Sequence, residues 1–217
     1  MSIGRGIAVW DVPIRLFHWL VVILIAMAWI SAEQGVMDWH RRIGLAVLFL
    51  VTFRVLWGFL GSNTARFSGF VRSPSAVLAY VRGKAHGAAG HNPLGGYSVL
   101  ALLALMAAQV TTGLFAVDVD GLESGYLAHL VSFEAGRQAA EIHEASFALL
   151  QVLIAFHILA ILFYRFARGR NLVRPMITGR DAELADAQGA LEGAPAWRLV
   201  LALVLAGLLA WWISAGA

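Results

Sequence analysis

Five runs of about twenty mostly apolar residues, at roughly 14–32, 42–61, 96–117, 144–166 and 197–215, dominate this 217-residue chain. A bilayer's hydrocarbon core is ~30 Å thick and takes ~20 apolar residues per helical span, so each run is long enough to cross once. With 60% hydrophobic residues, 13% charged residues and a mean hydropathy of +0.75, the chain is not a soluble domain. The expected fold is all-α and membrane-integral, with five spans. No cleavable signal is expected, because the first apolar run follows an ordered-looking polar segment and continues to full spanning length.

The cationic residues orient the spans. Arg5 and Arg15 precede the first; Arg66, Arg72, Arg82 and Lys84 separate the second and third; Arg165, Arg168, Arg170, Arg174 and Arg180 follow the fourth. These three groups fall on one side, which the positive-inside rule makes cytoplasmic. The N-terminus is then cytoplasmic and the C-terminus periplasmic. The other side carries Arg41, Arg42 and Arg137 against Glu33, Asp38, Asp118, Asp120, Glu123, Glu134, Glu141 and Glu144. The net charge of +3 is therefore a basic inner face plus an acidic outer one, and implies no nucleic-acid partner. The acidic rim either docks a basic soluble protein or simply follows from topology.

Within the fourth run, HEASFALLQVLIAFH places His143 and His157 fourteen residues apart. At 100° per residue the two imidazoles share a helix face, separated by roughly 21 Å along the axis. An ionisable side chain in an apolar wall is costly and marks a functional site unless a neighbouring helix satisfies it. Topology gives each a depth: His143 is shallow on the outer side, and His157 lies near the inner side. His40 opens the second span at the first depth, and His18 sits one turn into the first span at the second. Four histidines thus form two pairs, His40 with His143 and His18 with His157.

The absence of cysteine excludes disulfides, thiolate-held clusters and zinc-thiolate sites. Two imidazoles from different helices at each of two levels, without thiolates or nearby carboxylates, suit haem, whose iron takes one axial imidazole on each face. A non-haem metal calls for further protein ligands. Two such haems form a wire across the bilayer. Arg54 or Arg15 on the inside, and Arg41 or Arg42 on the outside, are placed to meet the propionates. Gly44 admits a bulky group close to the backbone, or serves as a small residue at a helix interface.

Other polar positions have plainer readings. Arg54 also suits snorkelling to the interface, and His86 belongs to a solvated loop. His91 precedes a helix start built on Asn92 and Pro93. Gln109, Thr111 and Thr112 offer interhelical hydrogen bonds in a third span that otherwise reads as structural, with Gly113 a point of close approach. GYLAHLVSF, containing His129, reads as an amphipathic patch over the outer end of the bundle. Gln109, His91 and His129 are the polar candidates for a quinone contact, and none stands out. Residues 181–196 form an acidic, Ala/Gly-rich cytoplasmic linker, and 197–217 a final helix with Trp211 and Trp212 as interface anchors.

WDVPIRLFHW, HRRIG, FRVLWGFLGS with ARFSGFVRSP, GHNPLGG, TTGLF, and IHE with a later histidine in the fourth span resemble the bacterial cytochrome b-561 family, which includes the cytochrome b subunits of nickel-iron hydrogenases. The resemblance covers about residues 5–180. It implies an inner-membrane four-helix bundle binding two b haems, over residues 1–180, with the fifth span an addition to that pattern. It also implies His18, His40, His143 and His157 as axial ligands, and electron exchange between the quinone pool and a redox partner. On the outer face that partner is a c-type cytochrome or a hydrogenase-like enzyme. Two alternatives differ in class. One is a stand-alone oxidoreductase passing electrons from a small reductant such as superoxide to quinone, with Arg41, Arg42 and Arg137 attracting the anion. The other is a non-redox scaffold or transporter, for which the sequence offers no substrate pathway.

Overall fold

The computed structural model describes residues 6–82, 92–182 and 190–216. Arg5, Lys84, His86, His91 and positions 183–189 of the linker lie outside the described residues. In chain order the elements are a two-residue strand β1 (Ile7–Ala8), α1 (Val12–Glu33), α2 (Met37–Leu60), α3 (Phe67–Phe70), α4 (Pro74–Val81) and α5 (Pro93–Phe115). A 3-10 turn (Ala128–Leu130), α6 (Phe133–Ala167), α7 (Val173–Thr178), β2 (Arg180–Asp181) and α8 (Ala196–Ala215) complete them. Helices α1, α2, α5, α6 and α8 are long and apolar enough to cross a membrane, in agreement with the five expected spans. The protein is an all-α integral membrane bundle.

Local chemistry sets the helix ends. Asp11 caps α1 by accepting the Ile14 N–H at 2.8 Å, and Asn92 caps α5 by accepting the Gly95 N–H at 2.7 Å, with Pro93 as first helical residue. Between α1 and α2, Gly35 at φ +68° permits a Schellman closure: its N–H reaches Ala32 O at 3.0 Å, and Val36 N–H reaches Ser31 O at 2.8 Å. The fourth long helix departs most from the hydropathy reading. Instead of starting near 144, α6 begins at Phe133, capped by the Ser132 hydroxyl, and runs for 35 residues. Glu134, Arg137, Gln138, Glu141 and Glu144 are polar but good helix formers, so the helix continues beyond its apolar segment. GYLAHLVSF forms a loop carrying a single 3-10 turn before that cap.

Half of the apolar window of α2 is buried, against 6% of that of α6. Helix α2 is therefore the most covered of the five, while Leu149, Val152 and Phe156 of α6 are exposed. Without a hydrophobic drive in lipid, such helices associate by packing and hydrogen bonds, and small residues permit close approach. On α8 the fully covered positions are Ala202 and Ala206, one turn apart.

The chain divides into two compact units. One comprises Met1–Phe17, Arg54–Ala101 and Ile154–Ala202. In it Asp11 is the central acceptor, taking hydrogen bonds from Trp57 Nε1 at 2.9 Å and Ser62 Oγ at 2.6 Å as well as from Ile14 N–H. Strands β1 and β2 pair antiparallel, Ile7 opposite Asp181 and Ala8 opposite Arg180. The end of the linker docks beside them: Leu191 N–H donates to Ala8 O, and Asn63 binds Ala190 O and the Glu192 N–H. Tyr80, Tyr164 and Asn92 form a further cluster, with hydroxyls 2.8 Å apart and Asn92 Nδ2 donating to Tyr164 Oη at 2.9 Å.

The other unit comprises His18–Phe53, Leu102–Leu153 and Leu203–Ala217. Its interior is built from Ile43, Val47, Leu50, Val51 and Phe53 of α2, with Val21, Leu103, Met106 and Leu150. After α5 the chain doubles back. Val117 bridges Ser124 antiparallel, Gly125 N–H donates to Ala116 O and Leu127 N–H to Leu114 O, both at 2.8 Å. A Cβ on Gly125 would collide with the Gly113 and Leu114 carbonyls, so only glycine lets the loop lie this close to the end of α5.

Candidate cofactor site

In this second unit a mostly apolar cavity of about 330 Å³ is walled by α1, α2, α5, α6 and the returning loop. His40 and His143 both face it. Their ring centroids are 6.0 Å apart with planes at 82°. Two imidazoles on opposite sides of one metal ion, each bonded at ~2 Å, have ring centres about 6 Å apart. The spacing is therefore that of a bis-imidazole site.

The hydrogen bonds select the tautomer. His40 Nδ1 lies 2.9 Å from the Ala28 carbonyl, which accepts its proton and leaves a lone pair on Nε2. On His143, Nδ1 lies 2.9 Å from the Gln109 carbonyl and Nε2 lies 2.9 Å from the Gln109 side-chain nitrogen. Ser146 Oγ donates to Gln109 Oε1 at 2.5 Å, which orients the amide with its N–H groups toward the ring. His143 Nδ1 then carries the proton and Nε2 the lone pair. Both histidines thus hold Nδ1–H against a backbone carbonyl, which fixes the ring and raises its basicity. On His143 the Gln109 amide occupies the Nε2 lone pair and must turn away before that nitrogen can take a metal.

Two glycines give the site its shape. A Cβ on Gly44, which lines the cavity, would meet nothing within 4 Å, so the backbone there borders open space that a flat group can occupy. A Cβ on Gly113 would lie 2.8 Å from His143 Cε1 and 3.1 Å from Nδ1, so a glycine is needed for the ring to rest on α5. Trp29 and Phe147 pack at 6.2 Å along one side. Arg41 lies at the polar mouth, paired with Asp38 and Glu123, beside a more polar recess formed with Ser124, Tyr126 and His129.

Among the described residues no three His, Asp or Glu side chains converge as a metal cage. Two imidazoles and an apolar slot fit haem, whose macrocycle supplies the remaining iron ligands, while the mouth carries Glu33 and Glu144 as well as the paired Arg41.

The other expected residues are placed as follows. His18, on α1 in the second unit, is half-buried, its ring edge-on to Trp19 at 4.9 Å. His157, on α6, is half-buried in the first unit. Also in the first unit, Arg15 Nη1 donates to Ile177 O at 2.5 Å. There too Arg54 is 3% exposed, with its guanidinium 5.3 Å from the Phe67 ring centre and, among the described residues, no hydrogen-bond partner for Nη1.

Sequence reasoning gave α5 interhelical hydrogen bonds, a close-approach point at Gly113 and Gln109 as a candidate quinone contact, but no part in holding a ligand. Gln109 is such a bond, but its partner is a ligand candidate. Glu123 and Tyr126 entered the sequence reading only as part of the acidic outer rim and of the amphipathic patch, because their place at the cavity depends on long-range pairing.

A family model described as prokaryotic cytochrome b561 matches residues 9–179. Comparison with curated proteins and with solved structures found no match. The family carries electrons across membranes with haem b, and five apolar helices make this chain a multi-pass bacterial membrane protein. Motifs, helices and the paired imidazoles lead to one assignment: the chain belongs to the prokaryotic cytochrome b561 family.

Proposed function

We propose that the protein conducts electrons through two haems b, one held by His40 and His143 and the other by His18 and His157. The electrons pass between the quinone pool and a periplasmic redox protein, a c-type cytochrome or a hydrogenase-like enzyme. The observation that carries this reading is the 6.0 Å His40–His143 pair, both rings held by backbone carbonyls over an apolar slot. When bound between His40 and His143, haem b would supply a one-electron couple.

The chain's own residues do the rest. Ala28 and Gln109 carbonyls hold the ring protons, and the apolar walls exclude water. Arg54 carries a buried charge that Asp11 offsets only in part. An anionic propionate would complete its environment, since a buried cation with unmet donors is costly. Arg15 serves the same inner end; at the outer end Arg41 would have to exchange its Asp38 and Glu123 partners for a propionate. Residues 1–180 house this machinery, with 197–217 an added helix.

Stand-alone superoxide oxidation draws less support. Arg41 is paired with two carboxylates, Arg137 donates to the Val117 carbonyl, and Arg42 lies over Trp39. Their attraction for an anion is correspondingly reduced.

A reduced-minus-oxidised spectrum with haem-to-protein stoichiometry tests the proposal. Two haems per chain are expected, falling to one in His40→Ala or His143→Ala, and to one again in His18→Ala or His157→Ala. A colourless protein, or a haem that survives His143→Ala and His157→Ala together, defeats it.

A further inference from the structure

The hairpin after α5 has no part in holding the cofactor, yet it is the most exposed apolar feature beside the cavity. Val117 pairs with Ser124, Asp118 N–H donates to Glu123 O at 3.0 Å, and Gly121 turns the tip at φ +72°. At that tip Val119 is 72% and Leu122 84% exposed. Phe133, itself exposed, extends the apolar surface, because a Cβ on Gly121 would touch its ring at 3.5 Å. Asp120 and Glu134 are exposed around this surface, Asp118 has one carboxylate oxygen buried, and among the described residues none of the three forms an ion pair. The hairpin is not a loose loop: Glu123 is paired with Arg41, and the following Gly125 and Tyr126 are part of the cavity wall.

We infer that the Val117–Ser124 hairpin is the docking element for the soluble redox partner, an electron carrier presenting lysines around an apolar contact. This rests on the reading of the cavity as the outer haem site. An apolar centre with an acidic surround matches a lysine-ringed face in both respects: opposite charges steer the encounter, and the apolar contact holds it. Insertion into lipid is disfavoured by three carboxylates within six residues of the tip. A second copy of this chain would bring the same negative charges together. The partner's haem edge would then approach the cavity through a loop only one residue removed from its wall.

The test uses the full haem-loaded chain in nanodiscs, chemically pre-reduced and mixed in a stopped-flow device with a lysine-rich ferric c-type cytochrome. The wild-type second-order rate is expected to fall with rising salt. Asp120→Lys should lower the low-salt rate about ten-fold and flatten its salt dependence, whereas Leu122→Ser should lower the rate several-fold with the salt dependence retained. Both variants alter exposed side chains, so haem content and reduction of the haem by quinol should not change. Unaltered partner kinetics in both variants overturn the docking surface. So does a Leu122→Cys variant, unique in a cysteine-free chain, whose environment-sensitive label reports an apolar setting in vesicles without the partner. A wild-type dimer lost in Leu122→Ser overturns it in favour of a second copy. A wild-type protein lacking haem overturns the proposed function and this inference with it, whereas intact haem with unchanged docking kinetics overturns the docking surface alone.

Discussion

Gln109 on α5 holds both nitrogens of His143 on α6: its carbonyl accepts from Nδ1 at 2.9 Å, and its side-chain amide donates to Nε2 at 2.9 Å. A helix without a histidine thereby sets the tautomer and aim of a histidine on its neighbour. Ligand competence at this level depends on how closely α5 and α6 approach, and Gly113 sets that approach.

Gly113→Ala should weaken haem retention. The new Cβ would lie 2.8 Å from His143 Cε1, so the ring must move off its carbonyl. Loss of such outer contacts typically costs 10–100-fold in affinity, that is ~10-fold or more here. Gln109→Leu keeps the backbone carbonyl and removes only the amide that occupies Nε2, so it should not weaken retention. Haem transfer to an excess of scavenging apoprotein, followed spectroscopically, measures both.

Asp11→Ala should destabilise the protein by about 3 kcal/mol, because it strips the cap from α1, leaves Trp57 and Ser62 without their acceptor, and removes the charge opposing Arg54. Asp11→Asn retains an acceptor and should lose less. Thermal unfolding of the detergent-solubilised holoprotein gives the comparison.

Arg41→Gln should barely change global stability, by less than ~1 kcal/mol, since its carboxylate partners are 78% and 42% exposed at the side chain. The effect should appear locally. Freed from its anchor, residues 118–124 should exchange backbone amides faster than in the wild type, and high salt should bring the two proteins closer together.

Ala202→Leu should cost about 1–3 kcal/mol, because this fully covered position leaves no room for three more carbons. No residue of α8 lines the cavity that holds His40 and His143. Haem content should therefore be retained while proteolysis of the last helix accelerates, a combination read by limited digestion alongside the absorption spectrum.

How much was legible beforehand differs from element to element. The five spans needed only apolar run length, and Asn92 with Pro93 announced the start of α5 by local chemistry. The start of α6 was misplaced by eleven residues because hydropathy measures where lipid begins, and a helix can continue into water. The pairing of His40 with His143 followed from depth, since a known direction of travel and a fixed rise per residue assign each histidine a level.

Composition and spacing by themselves determined that this chain has five helices fit to cross a membrane, and led to the expectation of imidazoles at two levels. Both are one-dimensional properties, read from run length and rise. Only the tertiary structure decided that Gln109 fixes the His143 tautomer, that Ala28 does the same for His40, that Arg41 is already paired, and that an acidic hairpin stands beside the cavity. Those relations join residues 12 to 82 positions apart in the chain, and no local pattern encodes which helix faces meet. Packing in lipid selects them, through small residues that let backbones touch and polar groups that find one another.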